Sequence, residues 1–292
     1  MADGWIAELK RRGVVAVGGP EAGRFLNDLV TNDLDKIAPG GAGYGGLLTP
    51  QGKVLFDFLV FRDGDRFLFE IKRDLAADFA RRLTFYRLRA KVEIADLSAE
   101  RQVVAAWGGA ASPELAGLVA PDPRLAGLGY RAIVGASGDI SAPGYALGDE
   151  GSYDAWRIGL GVPEGGVDFP FGESFPHDAD MDQLGGVDFG KGCYVGQEVV
   201  SRMEHRGTAR RRLIQANAPG ALAAGDPITA AGRPIGTVGS TADGTAIALV
   251  RLDRAKEAMD AGTALMAGST AVTLTLPGWA RFGWPAGAAA ED

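Results

Sequence analysis

The sequence predicts an α+β fold that ends in a small β-barrel. Two features of its texture carry this. Up to Gly207, strand-like apolar runs interleave with stretches of helical spacing, and beyond it short alternating runs are separated by Gly, Asp and Pro. The third observation is size: 292 residues exceed the ~250 at which one hydrophobic core stops growing, so two or three packed units are expected. Hydrophobic residues at 46% and charged residues at 23% mark a folded chain rather than a disordered one.

In chain order, Val14–Val17 reads as a strand, and Phe25, Leu26, Leu29 and Val30 recur at helical spacing after Gly18-Gly19-Pro20-Glu21. Leu47–Thr49, Val54–Phe61 and Arg66–Ile71, joined by Pro50–Lys53 and Asp63-Gly64, read as consecutive antiparallel strands. Asp74 is placed to cap a helix carrying Leu75, Phe79 and Leu83 on one face. Lys91–Ala95, Val103–Trp107 and Tyr130–Val134 follow as strands, with a helix near Pro113–Val119. Ser152 begins a helix through Ile158, and glycines and Pro163 then open a long irregular stretch to Gly190, the kind of loop that often binds. Arg212–Ala216, Pro227–Ala230, Ile235–Ser240, Ala246–Leu252 and Val272–Leu276 supply the barrel. The division is 1–206 for the α+β region, in two subdomains, 207–280 for the barrel and 281–292 for a tail whose Ala- and Gly-rich end, from Pro285, is expected to be disordered.

The first thirty residues contain no basic start with an apolar run and cleavage site, and no stretch approaches the ~18 apolar residues that span a bilayer, which predicts a cytoplasmic protein without membrane contact. One cysteine makes no internal disulfide and holds neither a structural zinc nor a complete iron–sulfur cluster, so any cluster chemistry is shared with a second molecule. A net charge of −7 argues against direct nucleic-acid binding. Arg202, Arg206, Arg210, Arg211 and Arg212 nonetheless gather positive charge where an anionic ligand could bind.

Cys193 stands in Lys191-Gly192-Cys193-Tyr194-Val195-Gly196-Gln197-Glu198, with apolar spacing after it that suits a helix. A thiol at a helix N-terminus beside Lys191 favours thiolate, the form that binds metal, although a lone cysteine is more often a small buried hydrophobe. His205 lies three turns from it and is ill placed for a Cys–His pair, so hydrolase chemistry is not supported. Asp57 shares a strand face with Leu55, Leu59 and Phe61 and must find donors in the fold or in a ligand. Tyr86 and Arg87, within Phe85–Lys91, offer an aromatic surface and cations to a flat carboxylate-bearing ligand, or form a solvated charged turn.

The Lys-Gly-Cys-Tyr-x-Gly-Gln-Glu run resembles the signature of the YgfZ-type folate-binding iron–sulfur cluster assembly factors. The similarity extends over 19–26, Thr31-Asn32-Asp33, Gln51-Gly52-Lys53, 88–92, Arg157 with 161–165, and Pro277-Gly278-Trp279. These factors are related to the glycine cleavage T-protein, which implies a T-protein-like folate-binding fold of mixed α+β units with the C-terminal barrel. The resemblance implies tetrahydrofolate or a derivative as cofactor, with Asn32, Asp57, Tyr86, Arg87 and Arg157 facing it. It also implies a transient shared iron–sulfur cluster on Cys193, Lys191 tuning the thiol, and Gly192, Tyr194, Gly196, Gln197 and Glu198 shaping its surroundings. An A-type iron–sulfur carrier and 4Fe–4S client enzymes are the implied partners, and the tRNA modification in the family's naming is read as indirect. Phe56-Asp57 replaces the T-protein's paired acids, and Arg157-Ile158-Gly159-Leu160-Gly161 lacks its folate-anchoring glutamate. Both departures argue against aminomethyl transfer. A folate-dependent aminomethyl or methyl transferase, with Asp57 as acid–base group, is the alternative.

Overall fold

The computed structural model of the chain describes residues 3–207 and 209–285. They form two compact units. One runs to Tyr153 and takes up Leu184–Glu198; the other comprises Asp154–Gln183 and the chain from Val199 onward. The chain therefore crosses between units more than once, where the sequence suggests a single change near Gly207.

The first unit begins with β1 (Gly4–Glu8), β2 (Arg12–Gly18), α1 (Ala22–Asn27), β3 (Ala42–Leu48), β4 (Val54–Asp63), β5 (Arg66–Lys72), α2 (Ala76–Arg87) and β6 (Glu93–Asp96). It continues with β7 (Arg101–Trp107), β8 (Gly117–Pro121), β9 (Tyr130–Gly135), β10 (Tyr145–Leu147) and the start of α3 (Glu150–Gly159). Two five-stranded sheets result, ordered β3-β4-β5-β2-β6 and β10-β1-β7-β9-β8. The first is antiparallel throughout, and Asp63 pairs with Arg66 across the short Gly64-Asp65 turn. Alternation along β4 puts Phe56, Phe58 and Val60 on the face that α2 covers with Phe79 and Leu83. The Phe79 ring meets those of Phe56, Phe58 and Phe69 at centroid distances of 5.4, 5.6 and 5.3 Å. Such packing adds to area burial because the ring edges meet ring faces. A smaller core of Ile6, Val104, Ala106, Ala132 and Val134 backs the second sheet.

After α4 (Gln197–Arg206), the second unit contains β11 (Arg211–Asn217), β12 (Pro227–Ala230), β13 (Arg233–Ala242), β14 (Thr245–Arg251), α5 (Leu252–Asp260), β15 (Leu265–Ala267) and β16 (Thr270–Thr275). The strands close in the order β11-β14-β13-β12-β15-β16. Closure leaves no free edge, and Ile214, Ile228, Val238, Val250 and Val272 fill the interior.

Several local expectations need correction. No helix forms near Pro113–Val119; strand β8 opens at Gly117, and in it Val119 pairs with Ala132; Gly117 lets the two backbones approach, since a Cβ there would lie 2.3 Å from the Ile133 carbonyl oxygen. Asp74 lies in a 3-10 turn and does not cap α2, whose flanking residue Leu75 makes no side-chain cap. The cap of α3 is Asp149, whose Oδ1 accepts the Ser152 N–H at 2.7 Å, so the helix starts before Ser152. The short strands β1, β10 and β15 and the helix α5 were not anticipated. Beyond Pro285 the predicted disordered tail lies outside the described residues. No helix among the described residues is long and apolar enough to cross a membrane.

Candidate functional site

The Lys191–Glu198 run belongs to the first unit, in the segment that follows Leu184. Fixed hydrogen bonds hold that segment against the stretch after α1. Thr31 Oγ1 donates to the Gly186 carbonyl at 2.5 Å and accepts the Gly46 N–H at 2.8 Å, while the Asp188 N–H donates to the Thr31 carbonyl at 2.9 Å. The Asp188 carboxylate takes Lys36 Nζ and the Gly190 N–H at 2.5 and 2.8 Å. These bonds and the charge of Lys36 hold Asp188 below the usual carboxylate range despite its partial burial.

Lys191 is an anchor. Its ammonium donates to the carbonyls of Asn27, Val30 and Asn32 at 2.8, 2.7 and 2.9 Å, three acceptors for three protons at the C-terminal end of α1. Burial pulls this ammonium down to about 8, against the opposing pull of Asp33 and Asp188, and it remains a cation at neutral pH. Its three hydrogen bonds give it a positional role in the loop that carries the thiol. Tyr194 is buried, 5.3 Å from the Lys191 Nζ by its ring centre, and burial pushes its phenol up to about 12. Gly196 has φ +82°, and a Cβ there would lie 2.5 Å from the Thr49 carbonyl oxygen, so only glycine fits. Between these fixed points Gly192 and Cys193 are exposed. The helix expected to start at the thiol starts at Gln197, four residues later, because the Gly196 turn intervenes. Gln197 and Glu198 form its first turn, where the Glu198 carboxylate suits the helix dipole.

Of the residues placed in a folate cavity, Asn32 and Asp57 are brought together by Tyr44. Asn32 Nδ2 donates to the Tyr44 carbonyl at 2.5 Å and to the Gly185 carbonyl at 3.1 Å, and the Tyr44 hydroxyl lies 3.4 Å from Asp57 Oδ2. Burial, then the charge of Asp57, push the Tyr44 phenol well above its ordinary value. Sequence reading missed Tyr44; its place in Gly43-Tyr44-Gly45-Gly46, a run that leaves a strand nearly bare around one phenol, was the available signal. It also missed a buried polar seam in the same unit. Arg131 reaches Tyr153 at 2.7 Å, Asp122 at 3.3 Å and Glu70 at 3.6 Å; Arg124 holds Asp122 at 2.7 Å and lies 5.9 Å over the Tyr44 ring.

The other three belong to helices α2 and α3. Tyr86 packs on the core behind α2, and Arg87, the last residue of that helix, is exposed. Arg157 belongs to the second unit, where it is buried and bonded to Asp154, Asp168 and Glu164 at 3.0, 3.0 and 3.4 Å and to the Val162 carbonyl at 3.1 Å. It braces the loop after α3. Within that unit Arg211 pairs with Asp178 at 2.6 Å, and Arg212 with Asp182 at 2.6 Å and Asp180 at 3.3 Å, so these two of the five clustered arginines are neutralised internally. His177, Asp182 and Glu204 bring donor atoms within 4.8 Å of one another, but Arg212 already grips both Asp182 oxygens.

Comparison with known proteins places this geometry. Residues 4–137 match the GCVT N-terminal domain and residues 210–282 the CAF17 C-terminal beta-barrel domain. The human iron-sulfur cluster assembly factor IBA57, mitochondrial, is 31% identical over 95% of this chain and 84% of its own length. The chain belongs to the IBA57 family. The mouse member is 30% identical over 96% of this chain and 85% of its own. The Mycosarcoma maydis homolog is 35% identical over 72% of this chain but 56% of its own length, and the Neurospora crassa homolog 33% over 72% and 52%, so the chain spans about half the length of these fungal relatives. Among solved structures, glycine cleavage aminomethyltransferase T from Bartonella henselae superposes with a TM-score of 0.72 over 94% of this chain and 85% of its own, at 16% identity. That likeness bears out the T-protein-like fold with its barrel. The cytoplasmic placement is corrected, because the IBA57-family relatives are named mitochondrial.

Proposed function

We propose that this chain assists assembly or repair of 4Fe–4S clusters in target enzymes by offering Cys193 to a cluster held jointly with a second molecule. The presentation of that thiol carries the reading. It is the chain's one cysteine, it is exposed, and anchors at Lys191, Tyr194 and Gly196 hold its loop on both sides. A single thiolate supplies one ligand where a cluster needs about four, so the rest come from the other molecule. An A-type carrier is the donor in this reading and 4Fe–4S enzymes the recipients. The intact Lys-Gly-Cys-Tyr-x-Gly-Gln-Glu run supports grouping the chain with the YgfZ-type factors, and any tRNA modification follows indirectly from a client enzyme.

Tetrahydrofolate enters this proposal through Asn32, Tyr44 and Asp57. A buried carboxylate beside a phenol suits the donor-rich edge of a pterin ring. Arg157, fully bonded within its own loop, does not fit such a role. When bound, the folate would carry a one-carbon group.

Cells lacking the native protein, supplied with Cys193→Ala, should lose 4Fe–4S enzyme activity while the variant accumulates folded; full rescue would overturn the thiol reading. Calorimetric titration with tetrahydrofolate should show saturable binding that Asp57→Ala removes. No binding by the wild type would remove folate from the proposal, whereas turnover in a glycine cleavage assay would favour the transferase alternative.

A further inference from the structure

The C-terminal end of α2 exposes apolar surface that the fold does not require. Phe85 is 73% exposed and Leu88 89%, three residues apart at the end of the helix. Leu88 also has φ +45°, a conformation that side-chain-bearing residues rarely adopt. The surroundings are cationic: Arg82, Arg87, Arg89 and Lys91 are all exposed, and the carboxylate bound there, that of Glu21, accepts the Lys91 backbone N–H. In a chain of net charge −7 this is a local reversal of sign.

The segment after the patch and the thiol loop are both tied to α1. The Lys91 N–H donates to Glu21 Oε2 at 2.5 Å, at the start of α1, while Lys191 binds the Asn27 carbonyl at its end. Six helical residues span only ~9 Å. The chain just beyond Leu88 and the lysine two residues before Cys193 are thus fastened to opposite ends of one short helix.

We infer that this end of α2 is a docking face for a partner protein that presents acidic groups around an apolar anchor. The inference rests on the assembly-factor reading and makes the cluster carrier that partner. Charge complementarity argues for it, since aromatic and arginine side chains dominate interface energetics and opposite charge accelerates encounter. An anionic membrane is the poorer occupant, because two apolar side chains fall short of an interfacial helix face.

The test is calorimetric titration of full-length protein with a purified A-type carrier at low and high salt. Phe85→Ser/Leu88→Ser should weaken binding at least ~10-fold. Arg82→Glu/Arg89→Glu should weaken it and flatten its salt dependence. Unchanged melting temperatures would exclude misfolding, because all four side chains are exposed. Equal binding by wild type and both variants overturns the docking face and leaves the assembly reading standing. No carrier binding by the wild type overturns both. Binding of the wild type to anionic vesicles, lost in the variants while carrier binding persists, overturns the inference in favour of a membrane.

Discussion

Lys191 and Asp180 show how far the meaning of a residue depends on its partners. Lys191 was identifiable from its motif, but its partners were not, because the three carbonyls it binds lie about 160 positions earlier in the chain. Lys191→Ala leaves those acceptors without their charged donor and should cost about 2 kcal/mol in urea denaturation. It should also raise the rate of Cys193 alkylation as the loop loosens. Lys191→Arg should not restore either, since a planar guanidinium cannot present three donors to converging carbonyls. Asp180 carries the opposite imbalance. It is fully buried, its Oδ2 has no hydrogen-bond partner among the described residues, and burial pushes its carboxyl well above the usual range. Folded protein therefore keeps a proton that the unfolded chain releases near pH ~4, so this site's contribution to stability falls as pH rises from there through the raised folded value. Asp180→Asn keeps an oxygen for Arg212, tolerates φ +53°, and removes that slope. Stability curves against pH should converge in acid and show the variant about 1 kcal/mol more stable at neutral pH.

Elements were legible where one periodicity ran long enough. In α2 the spacing of Phe79 and Leu83, with partly buried Leu75 just before the helix, marks the core-facing stripe, and the hairpin of β4 and β5 is announced by Asp63-Gly64. Strands such as β1, β10 and β15 exist because a neighbour offers a free ladder, and five or three residues carry too little alternation to reveal that. The same limit explains β8, where Gly117 and Pro121 read as breakers yet permit close pairing. The position of Cys193 relative to α4 was obscured for a related reason: Gly196 adopts a left-handed turn that apolar spacing does not register. Where periodicity and packing agree, a single residue should matter most. Phe79→Ala removes the ring that touches three others beneath α2 and should cost ~3–5 kcal/mol, read as a lower urea midpoint without a changed slope.

At the scale of the molecule, the barrel was readable from its turns, but the residues that complete its unit were not. The stretch Asp154–Gln183 groups with the barrel, although it precedes β11 by more than a helix. Its bonds explain why. Asp168 accepts the N–H and hydroxyl of Ser240 in β13, Asp182 neutralises Arg212 in β11 while Asp180 accepts a further hydrogen bond from it, and the Trp279 indole donates to the Leu160 carbonyl. A fragment of residues 207–292 would leave the Arg212 guanidinium without either carboxylate and the Ser240 hydroxyl without Asp168. Breaking a buried ion pair from one side costs ~3–5 kcal/mol, a large share of what a domain this small can muster. The fragment alone should therefore show no cooperative thermal transition by circular dichroism, and joining residues 154–183 to its N-terminus through a flexible linker should restore one. A cooperative transition in the unjoined fragment would mean that barrel closure alone outweighs the unpaired charge, and that the irregular stretch before Gly190 is held by the barrel without supporting it.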